Sequence, residues 1–336
     1  MKKQKTIIMV LFVSMGFCSA SAQDVTATER SEIIDRVVDQ LVNRYVDPNL
    51  GQKAAQAIRQ KTEKQAYDAL DTKASLIEAL MADMHATTRD KQLQLKNQSG
   101  AGSEWIHPAI TIKTPDGTSP EDPQYKKTIL QFMNYGLINP QVLDGNIAQL
   151  AILEFYAPGI APEVYQAIDR TMQSFQECTA VVLDLSLCSR GGDPNVMMYV
   201  ASYFLGGGES QLMYESFSRE DQKVAEFRTR TDIAGKRMPN IPLYIVTSSK
   251  TSSTGEMFAY GLQKAGRARI VGETSAGAAH VTDTIYIGHG IMMVLPVNRL
   301  SHVRTKTDWE GTGVIPDVPS KADAALKVAK DLIMNR

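Results

Sequence analysis

Cysteine is scarce in this chain: three residues in 336, of which Cys18 falls in the first apolar run and leaves Cys178 and Cys188. Those two flank an apolar strand candidate, and an extended strand of that length holds its ends roughly 30 Å apart, far beyond disulfide reach. No internal disulfide and no cysteine metal site are expected. An excess of positive charge is missing too, with 36 Lys and Arg against 37 Asp and Glu, which argues against a nucleic-acid partner. After the first twenty residues no apolar run approaches membrane-spanning length.

The amino-terminal end carries Lys2, Lys3 and Lys5, then an apolar run from Ile7 to Phe17, then Ala20-Ser21-Ala22. A positive end, a short apolar middle and a small-residue site describe a secretory signal peptide over residues 1–22. An exported protein, periplasmic or secreted, is expected. The bulky Phe17 before Cys18 speaks against lipid attachment there. Removing three lysines takes the formal charge from −1 to about −4.

From Thr26 to about Met84 the pattern is helical: Ile33, Val37, Leu41 and Tyr45 recur at spacing four, and Leu76, Leu80 and Met84 repeat it. Thr26 with Glu29 fits a capping box, and Asp71 is read as the cap of a helix over Lys73 to Met84. The expected organisation is a small helical bundle over residues 23–97, a proline-bearing connection over 98–133, a core over 134–325 and a tail over 326–336. In the core, strand candidates (145–153, 180–185, 243–246 and 268–271) alternate with helix candidates near Pro162 and from Pro194 to Leu205, which predicts an α/β layered fold. The run Ala180 to Leu185 is continuously apolar, as expected where both faces are covered.

The segment with most chemical content is Leu243-Tyr244-Ile245-Val246 emptying into Thr247-Ser248-Ser249-Lys250-Thr251-Ser252-Ser253-Thr254-Gly255-Glu256. A buried strand, a small hydroxyl-rich turn and then a helix can present one serine at the edge of a sheet. Around it lie Asn134-Tyr135-Gly136 with Leu143-Asp144-Gly145-Asn146-Ile147, then Leu183-Asp184-Leu185 before Gly191-Gly192-Asp193-Pro194. Further on come Ile270-Val271-Gly272-Glu273-Thr274, Gly277 with His280, and Trp309-Glu310-Gly311 leading to Gly313-Val314-Ile315-Pro316-Asp317. In this order the segments resemble the tail-specific, or C-terminal-processing, serine peptidases, in the branch related to interphotoreceptor retinoid-binding protein. The resemblance implies an α/β core of strand-strand-helix units, shared with the crotonase and caseinolytic-protease superfamily, behind an N-terminal helical domain. It also implies a polypeptide partner; no cofactor or metal is expected.

Serine peptide hydrolysis needs a nucleophilic hydroxyl, a base and donors for the developing oxyanion. The resemblance puts Ser253 at the nucleophile position, the Thr254 N–H at one oxyanion donor and the Gly191-Gly192 turn at the other. It puts Glu310 where a carboxylate orients the site. The base departs from the family. The lysine of one branch is absent, because Ala278 follows Gly277, and the histidine of the other is replaced by Gln92 in Asp90-Lys91-Gln92-Leu93. A carboxamide does not accept a proton near neutral pH. The turn from Ser186 to Arg190 also differs from the family pattern. Two readings follow: a peptidase with another base, His85 or His280, cutting unstructured or carboxyl-terminal segments, or a degenerate member that binds peptides or apolar small molecules without cutting them.

Overall fold

The structure is a computed structural model and describes residues 24–97 and 123–335. The expected signal peptide and most of the expected connection lie outside the described residues. Helix α1 (Ala27–Asn43) opens on the expected capping box, with the Glu29 N–H donating to Thr26 Oγ1 at 3.2 Å and the Thr26 N–H to Glu29 Oε2 at 2.9 Å. Helix α2 (Pro48–Glu63) begins with proline, whose missing N–H is no loss in a first turn, after the Asp47 cap. Helix α3 (Lys73–Thr88) is capped by Thr72 rather than Asp71: Thr72 Oγ1 takes the Ser75 N–H at 3.2 Å. A cap must stand directly before the first helical residue, and Asp71 is one place too early.

These helices pack on one another, α1 on α2 and α2 on α3, and also against a sheet. Their apolar stripes, including Ile33, Val37, Leu41, Leu76 and Leu80, share a core with Ile287, Ile291, Met293 and Leu295. Those partners come from β9 (Val281–Gly288) and β10 (Ile291–His302), to which β1 (Gln94–Asn97) is also paired. The three helices leave one apolar side uncovered, and the antiparallel sheet covers it. Strand β10 then passes an irregularity between Pro296 and Asn298 and continues as partner of β5 (Leu212–Ser218), itself paired with β6 (Lys223–Arg228). One long strand thus joins the helical part to the rest of the molecule.

The second sheet has the order β11-β8-β7-β4-β3-β2. Strands β3 (Ile147–Ile152), β4 (Ala180–Asp184), β7 (Leu243–Thr247), β8 (Arg269–Gly272) and β11 (Val318–Pro319) run parallel, and β2 (Leu137–Leu143) closes one edge antiparallel to β3. Period two divides the central strands. Val181, Leu183, Leu243 and Ile245 face the main core with α5 (Val164–Gln173), α6 (Pro194–Ser202) and α7 (Thr254–Lys264), while Val182, Tyr244, Val246 and Val271 face α8 (Ala322–Met334). Both faces are covered, as the apolar run had predicted. Residues 326–334, expected as a tail, are most of α8. Ala325 and Ala329, both fully buried, let this helix lie close to the sheet. Helix α4 (Pro123–Phe132) likewise occupies the end of the expected loop-rich connection.

At the far end of β10, His302 is fully buried, edge-on to the Tyr214 and Tyr260 rings, and its Nε2 has no hydrogen-bond partner among the described residues. Burial, then the charges of Arg304 and Lys264, push its pKa down to about 4 from 6.5. The unfolded chain binds this proton more readily than the folded one, so the histidine destabilises the fold as pH falls from about 6.5 through about 4. The thermal midpoint is expected to decline across that window, and His302→Phe is expected to make the decline shallower.

Candidate active site

Strand β7 ends at Thr247 in the middle of the parallel sheet, at its carboxyl edge, where open α/β sheets present their loops. The turn that follows is laced by its own hydroxyls. Ser248 Oγ donates to the Ser186 carbonyl at 2.6 Å, Thr251 Oγ1 to the Leu185 carbonyl at 2.8 Å and Thr254 Oγ1 to the Gly192 carbonyl at 2.7 Å. Three hydroxyls of the Ser/Thr run therefore bind this turn to the segment after β4. Ser253 Oγ is not used in that way. Its residue stands immediately before α7 at φ 56°, ψ −125°, a conformation that strains a residue with a Cβ by on the order of 1–3 kcal/mol. A strained serine between a strand and a helix N-terminus is how a nucleophile is lifted clear of its own backbone.

The post-β4 turn closes against this serine. Gly191, at φ +74°, lies so near that an added Cβ would fall 2.5 Å from the Thr254 nitrogen and 3.0 Å from Ser253 Oγ. Of the expected oxyanion donors, the Thr254 N–H opens the helix with no backbone acceptor among the described residues, at the positive end of the helix dipole. Gly192 differs: its N–H donates to the Arg190 carbonyl at 3.1 Å. The Gly191 N–H faces the sulfur of fully buried Cys188, whose thiol is pushed up to about 12 by burial. One donor is available in this conformation, and the glycine turn has spent its own.

Behind the serine, Glu256 is fully buried and gathers four donors. Oε2 accepts the Ser253 and Ala278 N–H groups, each at 2.9 Å, and Oε1 accepts the Gly277 N–H at 2.6 Å and the Ser275 hydroxyl at 2.5 Å. Ser275 Oγ in turn accepts the Val314 N–H at 2.7 Å, and the Gly311 N–H donates to the Gly277 carbonyl at 2.9 Å. One carboxylate thus fixes the serine turn, the 275–278 loop and, through that loop, residues 311–314.

The same two loops carry the next group. His280 Nδ1 lies 3.3 Å from Asp90 Oδ2 and 3.5 Å from Glu310 Oε2. Asp90 follows α3 and is almost wholly buried. It also accepts the Tyr45 hydroxyl at 2.9 Å and the Gln92 N–H at 2.9 Å. Glu310 Oε2 accepts the Ala279 and His280 N–H groups at 2.7 and 3.2 Å, while its buried Oε1 has no partner among the described residues. Burial pushes the Asp90 carboxyl up, but the hydrogen bond and charge of His280 outweigh it and hold it below the ordinary carboxylate range. For His280 burial acts downward and Asp90 and Glu310 act upward more strongly, so the imidazole is raised. Burial, seconded by the charge of Asp90, raises Glu310 against the lowering effect of His280. These three donor atoms lie within 4.8 Å of one another, close enough to surround a cation. A cleft of about 480 Å³ opens over them, lined by Tyr45, Arg89 and Asp90 on the helical side and His280, Arg299 and Glu310 on the other; Ser253 is not in its lining.

Residues 146–320, just over half of the chain, match the sequence model of peptidase family S41. The chain belongs to peptidase family S41. Solved structures with the same fold include a Parabacteroides merdae protein (TM-score 0.60, 14% identity, covering 91% of this chain and 96% of that one) and a Streptococcus agalactiae lipoprotein (TM-score 0.55, 15% identity, 91% and 96%). The photosystem II D1 C-terminal processing protease also shares it, with a TM-score of 0.53 and 14% identity over 89% of this chain and 95% of that one.

Within this S41 fold the expected site residues fall into two groups. Ser253, Thr254, Gly191 and Gly192 meet at the serine turn. Glu310 instead meets His280 and Asp90. Gln92 joins that second group through its backbone, and its side-chain Oε1 is buried without a partner among the described residues. Two residues escaped the reading of the sequence. Glu256 was legible as the fourth member of a Ser-x-x-Glu capping box, Ser253 to Glu256. Asp90 stood two places before Gln92, but a lone aspartate carries no signal that a histidine 190 positions away will face it.

Proposed function

We propose that this S41 protein is an exported serine peptidase that cuts unstructured or carboxyl-terminal polypeptide segments, with Ser253 as nucleophile. The observation that carries the reading is the strained backbone of Ser253, held by Glu256 with the Thr254 N–H beside it and Gly191 against its Oγ. A serine that merely capped α7 would have no need of a positive φ, since caps normally adopt extended backbone. Retained strain of this kind points to a hydroxyl kept for reaction. The test is reaction of Ser253 with a fluorophosphonate probe, located by peptide mass spectrometry, together with hydrolysis of a denatured, fluorescently quenched polypeptide. Labelling and hydrolysis that both disappear in Ser253→Ala are the expected outcome.

Two observations favour a second reading, binding without hydrolysis: Gln92 at the family's base position, and a Gly192 N–H already given to Arg190. A protein that retains polypeptide in a pull-down yet shows no labelling of Ser253 between about pH 6 and 9 would make it the working one.

A further inference from the structure

We propose that His280 is the general base of this site, taking the Ser253 proton on Nε2 while Asp90 and Glu310 hold Nδ1. The inference rests on the serine-peptidase reading and supplies the proton acceptor that reading leaves open. The other described candidates are committed elsewhere. His85 Nε2 is bound to the Leu93 carbonyl at 2.7 Å, His289 lies at the surface against Glu32, and His302 is enclosed by aromatic rings at the far end of β10. Lys250 is exposed, without the desolvation that makes a lysine a base. His280 alone among the described histidines has one ring nitrogen clamped by two carboxylates and the other without a hydrogen bond to any described residue. That is the division of labour in an acid–base histidine: one nitrogen is oriented, the other works.

Connectivity brings the two groups together. The Ser253 and Ala278 N–H groups share one oxygen of Glu256, each at 2.9 Å, so their nitrogens lie no more than twice that distance apart. His280 is two residues further on, a span of at most about 7 Å, and its own N–H is fastened to Glu310. No hydrogen bond joins Ser253 Oγ to His280 in the free protein; in this mechanism the contact closes with substrate, as catalytic hydrogen bonds commonly do. Ser253 Oγ then bonds to the scissile carbonyl carbon as its proton passes to Nε2 and the carbonyl electron pair moves to oxygen, facing the Thr254 N–H. Collapse of that oxyanion breaks the C–N bond, and the imidazolium returns the proton to the leaving amine. Water then bonds to the acyl carbon as its proton passes to the same nitrogen; collapse of this second oxyanion breaks the bond to Ser253 Oγ, which takes the proton back from the imidazolium and frees the carboxylic acid.

The experiment compares fluorophosphonate labelling and polypeptide hydrolysis against pH in the wild type, Ser253→Ala, His280→Ala and Asp90→Asn, with surface His289→Gln as control. His280→Ala is expected to slow both reactions by about 10⁴-fold with KM little changed, and added imidazole to restore part of the rate. Asp90→Asn is expected to move the acidic limb of the profile to lower pH. The groups facing His280 are Asp90, Glu310, Asp308 and Tyr45, with Arg89 and Arg299 along the cleft, and removing one negative charge from that set makes the imidazole easier to deprotonate. If His280→Ala loses its cooperative thermal transition, the limb shift in Asp90→Asn decides. Labelling of His280→Ala within threefold of wild type overturns the base and leaves the peptidase reading standing. Wild type as unreactive as Ser253→Ala overturns both. Activity abolished by EDTA and restored by zinc would assign the three residues to a metal and also overturn the base.

Discussion

Glu256→Ala should destabilise the fold by on the order of 4 kcal/mol and abolish labelling of Ser253. The carboxylate is fully buried and accepts four hydrogen bonds, from Ser253, Ser275, Gly277 and Ala278. Deleting it leaves those donors in a dry interior, where each orphaned group costs about 1–3 kcal/mol before relaxation. Water entering the vacated space recovers part of that sum, which keeps the expectation below simple addition. Glu256→Gln should be milder but still harmful, because its amide NH₂ would face N–H donors on one side. The loss of reactivity has a separate cause: without Oε2 nothing holds the Ser253 N–H, and the strained φ of 56° can relax. Urea denaturation measures the first effect and probe labelling in water the second. A midpoint shift equivalent to less than about 1 kcal/mol would mean the loops are held by other contacts.

What could be read in advance, and what could not, divides along local and long-range physics. The central strands were legible because burial on both faces leaves continuous apolar runs such as Val181 to Leu183, and α1 was legible from spacing four and its capping box. The serine turn was legible for the same reason: its strand, hydroxyls and helix are contiguous. The antiparallel sheet under the helices was not read. In β9 only the end at Ile287 and Gly288 is buried, and β10 carries Pro296 beside its irregularity, so neither offers the clean alternation that marks a strand. Helix α8 reads as a tail in the sequence because its buried positions are mainly two alanines, Ala325 and Ala329, and small residues make a faint stripe. The Asp90, His280 and Glu310 group lay furthest from view. Its members come from three segments that only the tertiary fold brings together.

Gly191→Ala is expected to reduce labelling of Ser253 by at least 10³-fold while lowering the thermal midpoint by only a few degrees. The residue sits at φ +74°, where alanine is strained, and its Cβ would lie 2.5 Å from the Thr254 nitrogen and 2.9 Å from the Ser253 Cβ. Neither neighbour can yield freely. The Thr254 nitrogen belongs to the first turn of α7, and Ser253 is tied to Glu256. The turn itself must give way, and with it goes the alignment of hydroxyl and donor. Loss of a single oxyanion donor is worth about 10²- to 10³-fold in serine enzymes, and here the proposed nucleophile is displaced as well. Gly192→Ala provides the contrast. Its added Cβ would meet the Phe155 backbone on the far side of the same turn, and its N–H already belongs to Arg190. If the turn must re-aim that N–H at substrate, Gly192→Ala should lower turnover of polypeptide more than it lowers the first labelling event. Equal losses in both assays would mean that Thr254 alone faces the oxyanion. Labelling of Gly191→Ala at the wild-type rate would show that the serine works independently of the turn packed against it.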